Sequence, residues 1–154
     1  MQNKPRVFLD TSALFAGLWS ESGGARMIFK LGETGLVHIL VGSQVLAEIE
    51  DVLRRKAPQS LTNLALLLDH CQVEGIQNSN EENRARCREM VNHLGDAQVL
   101  AEAWSGTCDF FVTLDREHFL DNTNLTGNTP FTIGTPGDFL NWYRQQIDPS
   151  QDEG

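Results

Sequence analysis

The chain has 154 residues, 40% of them hydrophobic and 21% charged, which is material for one buried core but not two. Its net charge of −9 excludes a broad cationic surface for gripping nucleic acid, because phosphate binding relies on Lys and Arg displacing counterions. Three widely spaced cysteines, Cys71, Cys87 and Cys108, make neither a disulfide framework nor a Cys-x-x-Cys pair and read as packing residues of a reducing compartment.

Arg6 to Leu9 form an apolar strand ending at Asp10, and Thr11-Ser12 supply turn or helix-capping chemistry. Gly23-Gly24 lead into a short helix, Ala25 to Leu31, which Gly32 and Gly35 end. A second strand runs from Leu36 to Val41. Val45, Leu46, Ile49, Val52 and Leu53 then form an apolar stripe at helical spacing, with Ser43 as the expected N-cap. Pro58 ends or kinks that helix, and Leu61 to Leu68 make another.

Val73 to Ile76 is a candidate third strand. Glu81 to Leu94 is helical, with acids before arginines in the order a helix dipole favours. Gly95 breaks it, and a new helix starts at Asp96 and ends at Gly106. Phe110 to Leu114 is a strand ending in Asp115, Phe131 to Ile133 is the last strand, and Asp138 to Gln146 is the last helix. The expected organisation is one domain over residues 1–147 and a polar, disordered tail from Asp148. Alternating strands and helices predict an α/β three-layer sandwich, a mostly parallel sheet of four to five strands flanked by helices. No apolar run can span a bilayer, and Met1-Gln2-Asn3-Lys4-Pro5 lacks a signal peptide's apolar core, so a cytoplasmic protein is expected.

Two strands, one near each end of the chain, terminate in aspartates, Asp10 and Asp115. Ligands of open parallel sheets bind beyond the carboxyl ends of the strands, so both acids face one crevice if these strands are neighbours. Close carboxylates repel, and such a pair points to a bound cation or a shared proton. Taken singly, each acid has a plainer role: a turn former after a strand, or, for Asp96, a helix cap. Glu48 and Glu50 flank the apolar stripe of their helix about equally, and periodicity does not choose between them.

The runs Val7-Phe8-Leu9-Asp10-Thr11-Ser12-Ala13-Leu14, Gly23-Gly24-Ala25, Leu36 to Ser43 and Val45-Leu46-Ala47-Glu48-Ile49 resemble the front half of a PIN domain. Gly95-Asp96-Ala97-Gln98-Val99-Leu100-Ala101-Glu102-Ala103, Asp109 to Asp115, and Thr135-Pro136-Gly137-Asp138-Phe139-Leu140 resemble its closing motifs. The likeness runs in the right order up to about Arg144 and is greatest to bacterial toxin-like, VapC-like members. It implies a metal-dependent endoribonuclease, the toxin of a toxin-antitoxin pair, whose acidic quartet falls on Asp10, Glu48, Asp96 and Asp115 as both catalytic and metal-holding residues. The resemblance thereby selects Glu48 over Glu50. Thr11, Ser12 and Thr113 match small polar positions beside the family site, where they would steady a carboxylate or a water.

Such carboxylates and a phosphodiester repel each other unless divalent cations lie between them, and oxygen ligands suit Mg²⁺ or Mn²⁺. Hydrolysis leaving a 5′-phosphate and a 3′-hydroxyl is implied. None of His38, His70, His93 and His118 stands in an obvious acid-base pair for attack by a 2′-hydroxyl. Arg116 and His118 are the candidates for touching substrate phosphate, with a hydrogen-bonded loop role favoured for His118. Arg54-Arg55-Lys56 and Arg84, Arg86 and Arg88 read as solvated helix faces, and Trp19, Trp104 and Trp142 as packing residues. The implied partners are RNA, an antitoxin covering the acidic crevice, and a second copy in a homodimer, with no membrane. A phosphatase fits poorly, because Asp10-Thr11-Ser12 lacks a second aspartate two positions on. The alternative from another class is a PIN fold that no longer cuts and acts as a binding or scaffold module.

Overall fold

The structure, a computed structural model, describes residues 4–77 and 79–148. Five strands form its sheet: β1 (Arg6–Leu9), β2 (His38–Gly42), β3 (Glu74–Ile76), β4 (Phe110–Val112) and β5 (Thr132–Gly134). They lie in the order β3-β2-β1-β4-β5, and every pairing is parallel. The expected α/β sandwich is therefore the one observed, with a wholly parallel sheet. The chain winds outward from β1 to β2 and β3, then returns to place β4 on the other side of β1. That reversal makes the carboxyl ends of β1 and β4 the switch point of the sheet, where an open crevice forms.

The helices are α1 (Thr11–Trp19), α2 (Gly24–Glu33), α3 (Ser43–Lys56), α4 (Ser60–His70), α5 (Glu81–Met90), α6 (Leu94–Ser105) and α7 (Pro136–Ile147), with a π-helical turn at Arg116–Leu120. α2 and α3 pack on β2, α6 on β2 and β3, and α7 on β4 and β5. Strands covered on both faces need continuous apolar runs, and Val7, Phe8, Leu9, Phe110, Phe111 and Val112 are all buried. Phe8 stacks on Phe111 with ring centroids 5.5 Å apart, and Phe110 meets Phe139 of α7 edge-on at 5.3 Å. Trp142 packs beside Phe110 and Trp104 edge-on against Phe131, whereas Trp19 is largely exposed and stacks on Phe15.

Several boundaries differ from the sequence expectation. α1 begins on the Thr11-Ser12 pair read as turn or capping chemistry, and Asp10, not Thr11 or Ser12, caps it by accepting from the backbone N–H of Ala13. With Phe15, Leu14, Ala13 and Gly17 spread around it, α1 has no single apolar stripe to recognise. α5 stops at Met90, before Leu94, and α6 starts at Leu94, so Asp96 sits inside its first turn instead of opening it. α7 begins at Pro136, capped by Thr135 in a reciprocal box with Asp138. The tail expected from Asp148 falls on residues 149–154, outside the described ones. Asp148 itself closes α7, its N–H donating to the carbonyl of Arg144.

All three thiols are buried. Burial pushes Cys87 up to about 11 and Cys108 to about 12, and raises Cys71, whose Sγ also lies 3.3 Å from the carbonyl of Phe29. At pH 8 a disulfide reagent should therefore leave the native thiols nearly untouched and react with all three once denaturant is added. Fast labelling of any of them in the native protein would place it outside the core.

Candidate active site

Backbone pairing extends past the strands into the crevice. The N–H of Asp10 donates to the carbonyl of Val112 (3.1 Å), and that of Thr113 to Gly134 (3.0 Å), so residues after β1 and β4 remain tied in register. The Asp10 carboxylate is only 4% exposed. Its Oδ1 accepts from the Ser12 hydroxyl (2.6 Å) and from the Ala13 N–H (2.9 Å), and its Oδ2 accepts from the Thr113 hydroxyl. Burial raises its pKa above the usual carboxyl range, these hydrogen bonds oppose the rise, and the charge of Asp115 adds to it.

Thr113 and Ser12 carry the network across to β4. The Thr113 hydroxyl accepts from the N–H of Asp115 (3.0 Å), and the Ser12 hydroxyl from that of Leu114 (3.0 Å). Asp115 caps the π-helical turn, its Oδ1 accepting from the His118 N–H (3.1 Å) while its Oδ2 lies 2.9 Å from His118 Nδ1. Asp96 arrives from the first turn of α6, its Oδ2 3.5 Å from His118 Nδ1 and 3.4 Å from His93 Nδ1. Burial raises the Asp96 pKa. The two histidines pull it down, and the charges of Asp115 and Glu48 push it up.

Glu48 enters from α3, one helical turn beyond Gln44. Its Oε2 accepts from the Thr11 hydroxyl (2.6 Å) and its Oε1 from Gln44 Nε2 (3.0 Å), while Glu50 on the same helix is exposed. Charge coupling thus links Asp10 to Asp115, Asp115 to Asp96, and Asp96 to Glu48. Among the described residues one oxygen each from Asp96 and Asp115 and one nitrogen of His118 lie within 4.8 Å of one another. Hard carboxylate oxygens crowded at this spacing, with Asp10 and Asp96 driven toward protonation, fit a divalent cation that would remove the repulsion.

Of the candidates for touching phosphate, only His118 reaches the crevice. Arg116 is 3.9 Å from Asp121 and strongly exposed. His118 hydrogen-bonds within its turn to a crevice acid, Asp115, an interaction that sequence spacing leaves open. The Asp109 carboxylate accepts from the N–H of Arg6 at the amino edge of the sheet, away from the crevice. Arg84 and Arg88 pair with Glu81 and Arg86 with Glu82, so the basic series of α5 is matched along its own helix, whereas in Arg54-Arg55-Lys56 only Arg55 is paired among the described residues, with Asp51.

One supporting residue had no role in the sequence reading. Glu102 of α6 is fully buried and caps α3 from outside. It accepts from the N–H groups of Ser43 (3.0 Å) and Gln44 (2.9 Å) and from the Ser43 hydroxyl. Gly42, not Ser43, holds the N-cap position, and a Cβ there would stand 2.7 Å from Glu102 Oε1. A lone acid within the otherwise apolar stretch Val99 to Ala103 was the available signal.

The PIN-domain family model matches residues 6–117. This chain belongs to the PIN-domain family. No curated protein matches it. Among solved structures, the PIN domain is similar to a chain of VapBC2 from Rickettsia felis bound to a DNA fragment from its promoter, with a TM-score of 0.66 and 16% identity over 84% of this chain and 98% of that one. It is also similar to a chain of DNA-bound VapBC from Salmonella typhimurium, with a TM-score of 0.62 and 16% identity over 86% and 98% of the two chains. At that identity the likeness is one of fold. Within this PIN domain, Glu102→Ala would take the acceptor from two partly buried N–H groups at the start of the helix that carries Glu48, at a cost of roughly 2 kcal/mol. Urea denaturation of the variant should register that loss, and an unchanged midpoint would remove Glu102 from this role.

Proposed function

We propose that this protein is a divalent-metal-dependent endoribonuclease that hydrolyses RNA phosphodiester bonds, and that it is the toxin of a toxin-antitoxin pair. The observation that carries the proposal is the gathering of Asp10, Asp115, Asp96 and Glu48 at the carboxyl ends of β1 and β4, where Thr113 bridges Asp10 to the backbone of Asp115, Asp96 and Asp115 share His118, and Glu48 lies beside Gly95 and Thr11. Capping accounts for Asp10 and Asp115 one at a time but not for the gathering of all four acids in one crevice, and family membership supplies a chemistry that uses them together. The proposed ligands of Mg²⁺ or Mn²⁺ are these four residues. A divalent cation there supplies a lowered pKa for the attacking water and charge neutralisation at the phosphate and the leaving oxygen.

The protein's own part is positioning. Thr113, Ser12 and the N–H of Ala13 hold both oxygens of Asp10, and Thr11 with Gln44 hold both of Glu48, so neither carboxylate must reorganise when charge develops. Asp96 and Asp10, already raised in pKa by burial, gain most when a cation compensates their charge. Water attack in line with the 3′-oxygen breaks the P–O3′ bond and leaves a 5′-phosphate and a 3′-hydroxyl. The similar solved chains come from structures described as VapBC, which supports an antitoxin as partner. We further propose a homodimer.

Asp96→Asn removes a carboxylate whose pKa is already raised, so at pH 7 in metal-free buffer it should melt at or slightly above the wild-type temperature. Incubated with single-stranded and folded RNAs and Mg²⁺ or Mn²⁺, the wild type should cut, and Asp96→Asn or chelator should stop it. Normal cutting by Asp96→Asn would sink the assignment. Neither cutting nor Mn²⁺ binding by folded wild type would leave a non-catalytic PIN module. Glu50→Gln should cut like wild type, because Glu50 is exposed while Glu48 is the one held by Thr11 and Gln44; a large loss would transfer the role of Glu48 to it.

A further inference from the structure

We propose that the Nδ1 atom of His118 is itself a ligand of the cation held by Asp96 and Asp115, so that the site favours a nitrogen-accepting transition ion such as Mn²⁺ over Mg²⁺. The inference rests on the cation site proposed above and concerns its selectivity. His118 Nδ1 lies 2.9 Å from Asp115 Oδ2 and 3.5 Å from Asp96 Oδ2. The three ligand atoms fall within 4.8 Å of one another, close to the roughly 3 to 4.4 Å that separates ligand atoms around one small ion.

The ring has been placed there by several independent restraints. Asp115 caps the turn through the His118 N–H. Asn122 Nδ2 donates to the carbonyl of His118 and to that of Met90, both at 3.1 Å, which ties the turn to the end of α5. Phe119, next in the chain, is buried against Phe111 with centroids 4.9 Å apart. The turn is π-helical, an uncommon geometry that recurs at functional sites, and it directs His118 toward β4 and α6. A side chain only making a surface hydrogen bond needs none of these anchors.

The chemistry separates the two ions. Without a cation, Nδ1–H can donate to Asp115. As a ligand, Nδ1 offers its lone pair and the remaining ring proton resides on Nε2. Mg²⁺ demands oxygen ligands and keeps its waters, whereas imidazole is a common ligand of first-row transition ions. His93 also reaches Asp96, at 3.4 Å, but two-thirds of its side chain is exposed and it lies outside the three-atom cluster.

The metal-free full chain should be titrated with MnCl₂ and with MgCl₂ by calorimetry, and its Mn²⁺ complex examined by pulsed electron paramagnetic resonance for coupling to ¹⁴N. Wild type should show one imidazole nitrogen. In His118→Ala and His118→Gln that coupling should vanish, with Mn²⁺ affinity falling about tenfold or more and Mg²⁺ affinity changing within about twofold. Thermal melting of each metal-free variant checks its fold, and the wild-type spectrum decides independently of any variant. Bound Mn²⁺ without nitrogen coupling, coupling that persists in folded His118→Ala, or equal loss for both ions would overturn the role of His118 while leaving the carboxylate site standing. Absence of Mn²⁺ binding by folded wild type would overturn the cation site and this inference together.

Discussion

The parallel pairing of β1 with β4 determines which acids can meet. Residues 10 and 115 are separated by most of the chain, yet Leu9 sits opposite Val112 in the ladder and the N–H of Asp10 continues it. Shifting that register by one residue would turn Phe8 and Phe111 out of their stack and move Thr113 away from Asp10. The aromatic core and the acidic crevice are therefore two faces of the same alignment. Burial of the phenyl rings supplies free energy that holds mutually repelling carboxylates together.

Helix starts do the remaining work. Asp10 caps α1, Asp115 caps the π-helical turn, Asp96 lies in the first turn of α6, and Glu102 reaches across to the first N–H groups of α3. The partial positive charge at a helix N-terminus favours each of these acids. The crevice is thus ringed by backbone dipoles that soften the repulsion within it. Glu102 differs from the others in being turned inward. It stabilises α3 from beneath, while Glu48 and Gln44, above it, face the crevice.

Elements with one apolar side were legible in the sequence: the stripe Val45, Ile49 and Leu53 of α3 is buried as its spacing predicted. α1 was hidden because its apolar residues surround it, and its cap, Asp10, had been read as the end of a strand. Both descriptions of Asp10 hold at once, since the chain passes from β1 to α1 through that residue without a loop. Periodicity left Glu48 and Glu50 tied, and family resemblance chose Glu48; the hydrogen bonds from Thr11 and Gln44 are tertiary and carry no periodic signal. For the same reason the sequence points to Ser43 as the cap of α3, whereas the group satisfying that helix start comes from Glu102. The proximity of His118 to Asp115 in sequence was visible, but its approach to Asp96 depends on where α6 begins.

The arginines of α5 are matched by Glu81 and Glu82 one or two turns earlier, and on a chain of net charge −9 acids outnumber cations by 21 to 12. A polyanion approaching from a distance consequently meets a repulsive field whose reach is set by ionic strength, about 8 Å in physiological salt. Its encounter rate with this surface rises as salt is added, opposite to the behaviour of a basic nucleic-acid binder whose contacts are weakened by the same ions. Dilute buffer is thus the medium in which such a chain is kinetically most isolated.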